Sequence, residues 1–145
     1  MIETLTLSRY FLLRSASRIC ALPLACVVEV LRPLPVRPVQ GSPPFVSGIA
    51  VIRGSAIPVV DLHHLLGGSG PASPTRFVTL RVGDRHLALA VDRVLGVRPL
   101  SESVFHTLPP LLRGSEPPVI ESLGALDAEL LVLLQASRIL PEERA

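Results

Sequence analysis

Lysine, asparagine and tryptophan are absent from this 145-residue chain, and each absence removes chemistry from consideration. Without lysine there is no phosphate-loop lysine, no Schiff-base amine and no lysine general base. All fourteen basic residues are arginines, scattered singly against twelve acids, so the net charge is only +2. Aromatics are equally scarce. Tyr10, Phe11, Phe45, Phe77 and Phe105 are too few for a base-stacking platform, and with so weak a charge they argue against a nucleic-acid partner. Cys20 and Cys26 have no further thiol and no histidine at ligand spacing, which predicts buried, reduced cysteines in a cytoplasmic protein.

Long hydrophobic runs are missing too, although 48% of residues are hydrophobic and only 18% are charged. The longest stretch free of charged side chains, residues 38–52, is broken by Gly41, Pro43, Pro44 and Gly48. A spanning helix needs about 20 unbroken apolar residues, so no direct membrane insertion is expected. Residues 1–8 carry Glu3 and lack a basic start, unlike a signal peptide.

Proline is what the chain has in excess, at fifteen residues, and with glycine and serine it cuts the sequence into pieces too short for long helices. The pieces predict an all-β fold with strands over 9–14, 18–24, 34–39, 46–52, 55–61, 76–82, 86–91 and 129–134. Single helical turns are expected at 25–31, at 61–66, where Asp61 can cap the first turn, and at 136–140. Residues 67–75 (GGSGPASPT) read as a linker between a first half, 9–66, and a second, 76–140, with strands exchanging at the ends of a single 1–145 domain.

The halves resemble each other. RYFLLRSASRICALPLACVVEVLRPL aligns with TRFVTLRVGDRHLALAVDRVLGVRPL at an offset of 66 or 67, pairing Phe11 with Phe77, Leu22 with Leu89 and Val27 with Val94. IPVVDLHHLL from Ile57 aligns with LVLLQASRIL from Leu131 at an offset of 74. This pattern predicts an internal duplication, with the extra residues of the second half inserted between Leu100 and Pro118.

No enzymatic constellation is evident. The glycines at 67–70 run into Pro71 and Pro74, which cannot open a helix for a phosphate. His63 and His64 lack a third ligand at metal spacing, His86 and His106 stand alone, and Asp61, Asp92 and Asp127 sit beside turns where capping explains them. Neither a metal nor a cofactor is expected. What stands out is a hairpin, VSGIAVI and SAIPVVD around an Arg53-Gly54 turn, with Gly48 permitting a bulge or close approach and Pro58 marking an edge or bulged strand. On spacing alone Arg53 is a solvated charge at a turn tip.

The string PPFVSGIAVIRGSAIPVVDL, residues 43–62, and SLGALDAELLVLLQASRIL, residues 122–140, resemble the signatures of the CheW family of chemotaxis coupling proteins, and the match runs from about Arg9 to Leu140. The resemblance implies two intertwined five-stranded SH3-like barrels sharing an apolar core. It implies a non-catalytic adaptor that bridges a methyl-accepting chemotaxis receptor and a CheA-type histidine kinase, held at membrane receptor arrays through those partners. It places the functional positions on Val27, Glu29, Gly48, Arg53 and Gly54, with Glu29 on a short helical turn paired to Arg53 at the receptor groove. The sequence departs from the family pattern at Pro23, Ile52 and Gln135 and in the Ser15–Arg18 turn, which points to a divergent receptor or kinase, to a paralogue binding one partner, or to a motility pathway other than swimming.

Overall fold

A computed structural model describes residues 7–108, 110–112 and 117–140. Their strands are β1 (Leu7–Ser15), β2 (Arg18–Pro23), β3 (Val27–Leu31), β4 (Val46–Ile52), β5 (Ser55–Asp61), β6 (Arg76–Val82), β7 (Arg85–Val91), β8 (Arg93–Ser101), β9 (Phe105–Thr107), β10 (Ile120–Leu126) and β11 (Glu129–Leu134). One four-residue helix, α1 (Leu62–Leu65), follows β5, and the Asp61 side chain accepts the His64 amide at its start, as the sequence predicts.

The strands form two barrel-like sheets, ordered β8-β1-β2-β11-β10-β9 and β3-β6-β7-β5-β4. Each sheet draws strands from both sides of residues 67–75: β1 and β2 lie with β8 to β11, while β6 and β7 lie with β3 to β5. The first sheet has six strands rather than five, because β9 arises in the long second-half insertion. Part of that proline-rich stretch, 109 and 113–116, lies outside the described residues.

The duplication is present in the hydrogen-bonding register. Adding 67 to β1, β2 and β3, and 74 to β4 and β5, converts one strand order into the other. The parallel pairs obey the same shift, since Leu131 faces Ile19 and Val59 faces Ala88 on one common diagonal. Two register breaks recur as well. A residue is extra at Val28 in β3 and at Leu95 in β8, and again at Ser47 in β4 and at Glu121 in β10. The expected pairing of Phe11 with Phe77 is off by one: Phe77 corresponds to Tyr10, and Phe11 to Val78. Side chains alternate faces along a strand, so this slip decides which core each enters.

Three cores result. Phe11, Leu13, Cys20 and Leu22 of one sheet meet Val78, Leu80, Leu87 and Leu89 of the other in a shared layer. Tyr10, Leu12, Ile19, Ala21 and Leu131 fill the six-stranded sheet, and Ala50, Ile52, Val59, Phe77 and Ala88 fill the five-stranded one. Both cysteines are free thiols, Cys20 fully buried and Cys26 half-buried.

Several expectations are corrected. Residues 27–31 form β3 rather than a helical turn; only Leu24–Cys26 is helical, a single 3-10 turn. Residues 34–39 form no strand, because Pro35 and Pro38 have no amide to give, and Arg37 alone makes a bridge, to Ile49. The strand bearing Pro58 is interior, not an edge, although β7 pairs only with its second half, Val59–Asp61, and so demands no amide from Pro58.

Candidate functional site

The corner of the five-stranded sheet where β3 passes the β4–β5 turn gathers the charged candidates. Arg53 and Gly54 occupy that two-residue turn with φ of 54° and 80°, the doubly positive backbone that a tight hairpin needs. Gly54 takes this conformation freely; Arg53 takes it at a steric cost. The turn throws the Arg53 side chain back across the sheet edge, where Nη2 and Nε donate to Glu29 Oε1 at 3.1 and 3.2 Å. The sequence alternates along β3 so that Glu29 falls beside this turn, one residue past the Val28 bulge.

A second contact fixes the acid. The Thr79 hydroxyl of β6 accepts the Glu29 amide at 3.1 Å and donates to the Glu29 carbonyl at 3.3 Å. It fills the ladder gap that the bulge leaves between β3 and β6. Glu29 is thereby held on both main-chain groups, its side chain 28% exposed, while Arg53 stays 77% exposed. A depression of about 240 Å³ lies beneath them, bordered by Val28, Ile57, His86 and Leu87. Thr79 was not among the sequence candidates. The signal available was its place within an apolar strand, where the first half carries Leu12.

The other candidates are placed differently. Val27 is half-buried at the start of β3 and packs on the shared core. Gly48 lies far up β4 from the turn, where Arg37 crosses it; a Cβ there would collide with the Arg37 carbonyl oxygen. Both Arg37 main-chain groups bond Ile49, at 2.8 and 2.9 Å, and this closes the free edge of β4. Glu29, Arg53 and Gly54 are thus brought together, and Val27 and Gly48 shape the strands that carry them. Ile52 turns inward and is buried with the barrel's own core, where it also lines the depression beneath the corner.

The duplicated corner of the six-stranded sheet also joins turn tip to strand with reversed charge, but two residues further along β8, since Glu29 corresponds to Gly96 and Arg98 to Leu31. Asp127 and Ala128 stand at the equivalent turn with φ of 49° and 69°, and Asp127 Oδ2 accepts from Arg98 of β8 at 3.2 Å. Turn tip and strand have exchanged signs. Among the described residues no three potential metal ligands cluster, and no helix is long and apolar enough to cross a membrane. Much of the apolar exposure lies on strands, at Val28 and Val30 of β3, Ile49 and Val51 of β4, and Leu95 and Val97 of β8, with Leu34, Val39 and Leu111 exposed outside them.

Comparison with known proteins agrees with this architecture. A profile described as the CheW-like domain matches residues 9–144. The chain is 28% identical over 119 residues to chemotaxis protein CheW of Treponema pallidum, covering 78% of this chain and 70% of that protein. It is 31% identical over 141 residues to protein FrzA of Myxococcus xanthus, covering 93% and 86%. The crystal structure of scaffolding protein TtCheW from Thermoanaerobacter tengcongensis superposes with a TM-score of 0.77 over 90% of each chain at 22% identity, a likeness of fold.

Proposed function

The chain belongs to the CheW-like domain family, and from that membership we propose that it is a non-catalytic adaptor coupling a methyl-accepting chemotaxis receptor to a CheA-type histidine kinase. Its place is then the cytoplasmic side of a receptor array, reached through its partners. The reading is carried by the Arg53–Glu29 corner. An exposed ion pair is worth little to a fold, yet this one is positioned by a strained turn, a strand bulge and the Thr79 hydroxyl. Beside it Val28 and Val51 remain 53% and 69% exposed. A fixed charge amid exposed apolar strand residues suits a protein partner that covers the valines and pairs with the guanidinium.

The test separates the charge from the turn. Asn favours positive φ, so Arg53→Asn keeps the hairpin while removing the guanidinium. Equilibrium binding to a receptor-tip fragment and to the kinase regulatory domain is measured for both proteins. A docking corner loses about 2 kcal/mol, roughly 30-fold, toward at least one partner at unchanged melting temperature. Unchanged affinity for both sinks the assignment. Reconstituted kinase activity then distinguishes a coupler, which activates when receptor and kinase are both present, from a one-sided paralogue, which competes.

A further inference from the structure

Residues 67–75, read from sequence as a bare linker, are fastened at both ends. At the far end the Thr75 amide donates to the Val91 carbonyl at 3.0 Å, and its hydroxyl donates to the Asp92 carbonyl. The Asp92 carboxylate accepts the Ala16 amide at 2.6 Å, which ties this end to the β1–β2 turn of the other sheet. At the near end the Gly67 and Gly68 amides donate to the His64 and His63 carbonyls at 3.0 and 2.9 Å, and two imidazoles of α1 reach the residues beyond. His63 Nε2 donates to the Ser69 carbonyl at 3.0 Å, and His64 Nε2 donates to the Gly70 carbonyl at 2.8 Å. Gly68 is packed so closely on the His63 ring that a Cβ would strike it.

The two rings differ in what they require. His63 needs one proton for its bond to Ser69. His64 faces an acceptor on each side, because its Nδ1 lies 3.1 Å from Asp61 Oδ2 while its Nε2 meets Gly70. A carboxylate oxygen and a carbonyl oxygen have no proton to offer. A ring holding a single proton therefore turns a lone pair toward one of them. Other groups facing this cluster are His63, edge-on at a ring separation of 5.4 Å, and Arg18 of β2 and Asp92 across two cavities of about 170 and 350 Å³. These cavities lie between residues 67–73 and the β1–β2 turn.

We propose that residues 70–74 are a proton-dependent strap, docked at Gly70 while the His64 ring carries a proton on each nitrogen and released there when one of them leaves to solvent. Loss of the Nε2 proton breaks the bond to Gly70. Loss of the Nδ1 proton sets a lone pair against Asp61 and turns the ring, with the same result. The near residues stay tied through Gly67, Gly68 and Ser69 and the far end through Thr75, so release uncovers the cavity that Pro71, Ala72 and Ser73 border beside Ala16 of the β1–β2 turn without separating the sheets. The strap is independent of the Arg53 corner.

Nuclear magnetic resonance on the full chain, titrated across the range in which imidazoles change charge, about pH 5 to about pH 8, tests this. The ring nitrogens of His64 and the amides of Gly70, Ala72 and Ser73 are expected to move together, with one midpoint. His64→Gln is expected to abolish the pH step in those amides, and His63→Gln to keep it. Strap amides that ignore the His64 titration, or that titrate unchanged in His64→Gln, overturn the proposal. If His64→Gln does not fold, coincidence of midpoints in the wild-type chain decides.

Discussion

Cys20 and Thr79 show how one side chain takes its character from its layer. Thr79 and Leu12 are equivalent by register. Leu12 is buried in an apolar interior, while Thr79 spends its hydroxyl on the two main-chain groups of Glu29. The two copies of the strand thus differ at this position by one polar side chain, which in β6 acts as a clamp. Cys20 lies in the shared core, where burial pushes its thiol from 9.0 up to about 12, a shift that nearby Arg18 partly opposes. Below about pH 9 both folded and unfolded chains hold this proton, and stability does not depend on it. Above that value the unfolded chain releases it first. Stability is therefore expected to fall by up to about 1.4 kcal/mol per pH unit until the folded thiol itself ionises. Cys26, also raised by burial, adds in the same direction. Urea unfolding at about pH 8.5 and about pH 10 is expected to show a smaller drop in Cys20→Ala than in the wild type; equal drops would place the lost proton elsewhere.

At the scale of the element, legibility in the sequence followed how local each cause was. The β4–β5 hairpin was plain, because short apolar runs flank a tight turn at Arg53-Gly54, and β6 and β7 were plain as the apolar runs over 76–82 and 86–91. The β3 segment, VVEVL, was read as a helical turn although its three valines suit a strand; what makes it one is the distant pairing with β6. The segments of β8 and β10 went unread because Gly96, Pro99 and Gly124 interrupt them. Their pairing is again non-local, β8 with β1 and β10 with β9 and β11. The Glu29–Arg53 pair came from family resemblance; its geometry depends on the Val28 bulge, which has no local signature. Gly48 was legible as a close approach, and the approaching group is the Arg37 backbone that closes β4. A methyl at this position meets that backbone, and Gly48 has a φ of 147° that side chains rarely adopt. Gly48→Ala is thus expected to cost about 2–4 kcal/mol, seen as an earlier urea midpoint. Amide exchange is expected to rise first at Arg37 and Ile49. A variant of wild-type stability with those amides still protected would show that the crossing is not held there.

For the whole molecule the question is whether two sheets make one cooperative unit. Neither half of the sequence builds a sheet alone: β2 needs β11 and β7 needs β5 as parallel neighbours across residues 67–75. The shared core takes residues from both sheets, so neither can keep its apolar layer dry after the other opens. The low charge and high hydrophobic share of the sequence follow from this arrangement, since three cores must be filled by 145 residues. Leu22 and Leu89, equivalent under the duplication and both fully buried in the shared layer, are the sensitive points. Replacing either by Ala is expected to cost about 2–5 kcal/mol. The stronger expectation concerns where the loss appears. In Leu22→Ala, near the denaturation midpoint, exchange of the Val59 amide in one sheet and the Leu131 amide in the other is expected to accelerate by the same factor, because a single opening exposes both. Protection persisting at Val59 while Leu131 is lost would divide the molecule into two independent barrels, with the shared layer a contact between them rather than a common core.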